Sequence, residues 1–127
     1  MALVNGNTPV TLLASAARTA TVSTAAQNAD YATGVIVYLD VTAASGTGGL
    51  TLTVEGQDPA SAKWMAVNSN PTAVTTTGTR SYLVALSASG GAATQATSAH
   101  VPNPWRVTVT HGDASSYTYT VGAIVLV

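Results

Sequence analysis

Hydrophobic and polar residues alternate with a period of two along several stretches of this chain, most plainly in its last quarter. Trp105, Val107 and Val109 alternate with Arg106, Thr108 and Thr110; Tyr117, Tyr119, Val121, Ala123 and Val125 alternate with Thr118, Thr120 and Gly122. This is the period of half-buried strands, whose side chains point in turn to two faces. Between the runs, His111 to Ser116 supplies small, polar, turn-forming residues, so the pattern predicts an antiparallel hairpin. Gly34 to Ala43 predicts a further strand, with Val35, Val37, Leu39 and Val41 on one face and Ile36, Tyr38, Asp40 and Thr42 on the other. Its second face also begins apolar, which suits a central position. After the flexible turn at Ser45 to Gly49, Leu50, Leu52 and Val54 alternate with Thr51, Thr53 and Glu55, and these two strands are expected to pair.

Weaker signals fill the remainder. Arg18 to Thr24 is rich in β-branched residues, Lys63 to Val67 returns from the Asp58-Pro59 turn, Ala73 to Thr77 is a poor strand, and Arg80 to Leu86 a better one. Ser87 to Ala99 reads as a long loop of small residues, either mobile or a contact loop ordered by a partner. Residues 1–14 lack a clear period, and Asn5-Gly6-Asn7-Thr8-Pro9 is turn chemistry, so they read as an extended N-terminal arm. Leu3, Val4, Leu12 and Leu13 are apolar residues in that arm that call for cover. The terminal Ile124-Val125-Leu126-Val127 is apolar on both faces and is expected to be covered twice, by its own core and by another layer or subunit. Seven or eight strands with regular turn punctuation and no helical period predict an all-β, antiparallel two-sheet sandwich, jelly-roll or Ig-like, over residues 15–127.

Composition narrows the partners. Only 7% of the 127 residues are charged, against 46% hydrophobic, and the formal net charge is −1. Such a chain neither neutralises a run of phosphates nor holds an anionic bilayer, so no nucleic-acid or membrane partner is expected. There is no cysteine, which removes disulfides, thiol catalysis and thiolate metal sites. The first residues carry no basic segment followed by an apolar run, so no signal peptide is read. No segment approaches the ~20 continuous apolar residues of a spanning helix.

Ionisable residues are few enough to take singly. His111-Gly112-Asp113 offers an imidazole and a carboxylate from one loop, with Asp58 or Asp30 to complete a metal shell, yet Asp and Gly are also ordinary turn residues. Glu55 and Asp58 are the one carboxylate pair in reach of a glycosidase reading, but a strand position and a turn account for them. Gly46 to Gly49 and Gly90-Gly91 lack the Lys and helix of a phosphate loop, and no Gly-x-Ser-x-Gly elbow is present. No catalytic residue, metal or cofactor is therefore expected. Trp105 falls in register with Val107 and Val109 and is expected in the core, while Trp64 and Tyr38 are the better candidates for a surface that stacks on a sugar ring. Arg106 lies on the face opposite Trp105, as a solvated or interface residue.

Three stretches, Gly34 to Ala44 (GVIVYLDVTAA), Leu50 to Trp64 (LTLTVEGQDPASAKW) and Pro104 to Ala123 (PWRVTVTHGDASSYTYTVGA), together resemble small virion structural proteins of tailed bacteriophages. The resemblance implies a non-enzymatic β-sandwich of the head decoration or cement type, made in the host cytoplasm and assembled on the capsid surface. Its partners would be the major capsid protein and copies of itself, as a homotrimer; tail or neck proteins are the neighbouring reading. A carbohydrate-binding module using Trp64 or Tyr38 is a second class. The residues expected at interfaces are Leu3, Val4, Leu12, Leu13, Trp64, Arg106, His111 and Asp113.

Overall fold

The computed structural model describes residues 7–68, 71–86 and 93–127. Nine strands follow in order: β1 (Thr8–Arg18), β2 (Val22–Ser23), β3 (Gly34–Ala44), β4 (Leu50–Gln57), β5 (Trp64–Ala66), β6 (Gly78–Ala85), β7 (Gln95–Ser98), β8 (Trp105–His111) and β9 (Tyr117–Leu126). They form the expected two-sheet sandwich. A five-stranded sheet, β1-β9-β3-β6-β7, faces a four-stranded sheet, β2-β8-β4-β5. Every pairing is antiparallel except that of β6 with β7. Among the described residues there is no helix, so none is long and apolar enough to cross a membrane.

Every connection except β4–β5 and β6–β7 passes from one sheet to the other, which corrects two expected pairings. β8 and β9 do not form a hairpin; β8 pairs with β2 and β4, and β9 with β1 and β3. Likewise β3 lies in one sheet and β4 in the other. Loops of five residues, 45–49 and 112–116, reach about 16 Å when extended, enough to step across the ~10 Å between packed sheets. Alternation states which side chains share a face, and both arrangements satisfy it equally.

The inner faces supply the core. Val35, Val37, Leu39 and Val41 of β3, with Tyr117, Tyr119 and Val121 of β9, meet Leu50, Leu52 and Val54 of β4 and Trp105, Val107 and Val109 of β8, all essentially without solvent exposure. The polar tips of the large residues are bonded: Trp105 Nε1 donates to the Asn28 carbonyl at 3.4 Å, and Tyr117 Oη accepts from the Gly49 amide at 2.9 Å. Burying an aromatic side chain while pairing its polar atom retains the whole apolar gain. Trp105 also exchanges both backbone hydrogen bonds with Gln27, extending β8 beyond β2.

The arm reading is corrected from Thr8 onward, because Thr8 to Ala14 belong to β1, which runs antiparallel to β9 from Thr8↔Val125 to Arg18↔Tyr117. Register shifts between Thr11 and Leu13 and between Leu13 and Ala16 break the period of two, so Val10 and Leu13 stand opposite the inward-facing Ala123 and Val121. Bulges hide a strand from alternation. Pro9 is tolerated because β1 is an edge strand, where an N–H can be absent from one side of the ladder. Leu12 and Leu13 pack against the core instead of projecting from an arm. Leu3 and Val4 lie outside the described residues, as does the 87–92 part of the expected long loop, whose later residues form β7.

Two smaller differences fall between β5 and β6. Ala73 to Thr77 makes a single bridge, Val74↔Leu50, and no strand. Asn68 is a buried polar residue: its Oδ1 accepts from the Val54 amide at 2.9 Å, and its Nδ2 donates to the Leu52 carbonyl at 3.1 Å and to Gln95 Oε1 at 3.3 Å. It thereby continues the β4 ladder past β5 and ties it to β7.

Candidate functional site

The outer face of the five-stranded sheet carries apolar residues that the core does not use. Its registers are read directly: Pro9 of β1 stands opposite Ile124 of β9, Ile124 opposite Ile36 of β3, Ile36 opposite Leu83 of β6, and Leu83 opposite Ala96 of β7. One apolar row therefore crosses all five strands. The flanking rows are Leu126, Gly34 and Ala85 on one side and Gly122, Tyr38 and Ser81 on the other, with Tyr38 at 36% exposure. On these registers Asp40 is the single charged side chain among the described residues, and its Oδ1 is held by the Thr79 hydroxyl at 2.9 Å. Strands about 4.8 Å apart make the face roughly 24 Å wide, and the length of β6 makes it about 26 Å long, some 600 Å² in all. Two such faces meet the lower limit of specific interfaces, about 1,200 Å² in total.

The outer face of the four-stranded sheet is polar and internally bonded. Glu55 Oε1 accepts from Arg106 Nε at 2.8 Å and from Thr108 Oγ1 at 2.7 Å, and Thr108 Oγ1 lies 2.8 Å from Ser23 Oγ. The Arg106 guanidinium stacks on Trp64, 4.4 Å from the ring centroid. Register explains the row, since Ser23, Thr108 and Thr53 are successive partners across β2, β8 and β4, and Glu55 faces Arg106. Trp64 is half-buried, with one ring face covered by Arg106. Trp64 and Arg106, expected at interfaces separately, thus form one element of this surface.

His111 closes β8 with its ring turned inward, where an exposed loop residue was expected. Its Nε2 lies 2.9 Å from Tyr119 Oη, the ring meets Tyr117 edge-on, and Nδ1 is buried without a hydrogen-bond partner. Burial first, and then the Arg18 guanidinium, hold the imidazole below its ordinary value of 6.5; the Ser115 backbone and Asp113 oppose this. Arg18 in turn lies 4.7 Å from the Tyr119 ring centroid and donates to the Tyr119 carbonyl at 2.8 Å. Burial raises the Tyr119 phenol, and Arg18 opposes it.

Asp113 caps its own turn. Oδ1 accepts from the Ser115 amide at 2.9 Å, and this bond holds the carboxyl below 3.8. Asp58 does the same with the Ala60 amide and the Ser61 hydroxyl, at 2.9 and 2.8 Å. Among the described residues no three His, Asp or Glu side chains come together as a metal site.

The structure therefore distributes the predicted interface residues over several places. Leu12 and Leu13 support the core, Trp64 and Arg106 share the polar sheet face, and His111 and Asp113 stabilise one loop. The apolar row through Ile36, Leu83 and Ile124 was announced only by the two-sided apolar character of β3 and β9. No family model, curated protein or solved structure matches this chain.

Proposed function

We propose that this chain is a non-enzymatic structural protein of a phage virion, which attaches to a capsid and to copies of itself through the outer face of its five-stranded sheet. The observation that carries the reading is the uncharged apolar row Pro9–Ile124–Ile36–Leu83–Ala96, presented where a sandwich normally shows polar residues to water. Several ionisable groups are engaged in structure: Glu55 with Arg106 and Thr108, Asp58 and Asp113 with their turns, His111 with Tyr119. The resemblance of three stretches to small virion structural proteins of tailed bacteriophages, which implies the head decoration type ahead of tail or neck proteins, supports the capsid setting. Co-sedimentation of the purified chain with undecorated phage heads tests it, with Ile36→Lys as the comparison. Saturable binding that Ile36→Lys reduces at least tenfold is expected; absence of binding, or equal binding by the variant, overturns the reading.

A further inference from the structure

Arg80 is the one charged side chain on the core-facing register of β6, in sequence with Tyr82 and Val84. It stands opposite the fully buried Leu39 of β3, where the sandwich opens beside the segment 72–76. A cavity of about 310 Å³ occupies that opening, lined by Thr72, Val74, Thr76, Arg80, Tyr82 and Gln95 among others. Ligand pockets run from about 300 to 1,000 Å³, so this one suits a single ring or a comparably small molecule.

Three observations give the cavity a chemistry. First, Arg80 is held in place: Nη1 donates to the Thr76 and Gly78 carbonyls at 2.8 and 3.1 Å, and Nη2 to Thr76 Oγ1 at 2.8 Å. Of the five N–H groups of a guanidinium, these leave Nε–H and one N–H of Nη2 without an acceptor, and a carboxylate takes two such donors side by side. Second, no carboxylate of the protein neutralises it. Glu55 is paired with Arg106, Asp40 with Thr79, Asp30 with Asn103, and Asp58 and Asp113 with their own turns. Third, Tyr82, only 3% exposed, lines the cavity together with the hydroxyl-bearing Thr72, Thr75, Thr76 and Thr94. Hydroxyl groups both donate and accept, so such a lining can pair with the hydroxyls of a ligand.

We infer that this cavity binds a small hydroxylated carboxylate of the sugar-acid class. Arg80 takes the carboxylate through its Nε and Nη2 edge, while Tyr82 and the threonine hydroxyls address the ligand's own hydroxyls. The site is separate from the apolar sheet face and does not depend on that face's role.

Amide chemical-shift titration of the ¹⁵N-labelled chain tests this, with D-glucuronate as the probe and D-glucose and acetate as controls. Glucuronate is expected to shift the amides of Thr72 to Thr76, Arg80, Tyr82 and Gln95 saturably, with glucose and acetate each at least tenfold weaker. Arg80→Gln should lose the response at least tenfold. Because Arg80 also holds the Thr76 and Gly78 carbonyls, Tyr82→Phe provides a second variant that keeps the ring packing and should weaken glucuronate several-fold. No saturable shift in the wild-type chain, equal binding of glucose or acetate, or unchanged binding by Tyr82→Phe overturns the inference.

Discussion

His111 shows how one residue couples loop geometry to pH. Its folded-state pKa is depressed by burial and by Arg18, so the unfolded chain takes up a proton more readily than the folded one. Stability contributed by the neutral ring is complete above about 6.5 and declines as pH falls from 6.5 toward the depressed folded value. The carboxyls of Asp58 and Asp113 act in a separate window: their contribution is present above 3.8 and is lost as pH falls below it. Thermal melts at pH 7.5 and 5.0 therefore isolate the histidine. The wild-type chain is expected to lose melting temperature over this interval, and His111→Gln to lose measurably less; an equal loss in both would assign the acid sensitivity elsewhere.

At the scale of elements, the sandwich is joined by side chains where strands are too short. β5 has three residues and β7 four, and between them Asn68 supplies hydrogen bonds to Val54, Leu52 and Gln95. Asn68→Ala leaves the buried Val54 amide and Leu52 carbonyl without these partners. The expected cost is about 1–3 kcal/mol, from the price of stranding a buried polar group. Urea unfolding followed by tryptophan fluorescence measures it, and a change below about 0.5 kcal/mol would show that water or the backbone replaces the amide. Most of the strand inventory was legible: the inward residues of β3, β4, β8 and β9 are those that alternation selects. β1 was not, because two register shifts and a proline remove its period. β7 was hidden because Gln95 to Ser98 carries no large apolar residue and is held to β6 through backbone bonds.

For the whole molecule, the question is what covers the outer face of the five-stranded sheet. A net charge of −1 and a face with one charged residue oppose association only weakly, and roughly 600 Å² per partner lies near the lower limit for a specific contact. Self-association should therefore be concentration-dependent. Light scattering over a dilution series is expected to give a mass above one chain at high concentration, falling on dilution, and Ile36→Lys should remain a single chain throughout. Because Ile36 is only half-buried on the outer face, its substitution should leave the melting temperature within a few degrees. A wild-type chain that stays monomeric at all concentrations would remove self-contact from the proposed assembly while leaving capsid binding to the co-sedimentation experiment.

The apolar periods of residues 34–57 and 105–125 were sufficient to specify an all-β sandwich, its inner faces and Trp105 as a core residue, since burial demands a two-residue repeat however the strands are joined. Strand partners were decided by tertiary structure: five-residue connections can fold back or cross between sheets, and filling both inner faces selected the crossing. The same crossing assembled what no local pattern contains. It aligned Ile36, Leu83 and Ile124, which are 47 and 41 positions apart, in one row, and it brought the 72–76 segment and β7 around Arg80. Faces follow from alternation along a strand, whereas surfaces and cavities depend on which strands become neighbours.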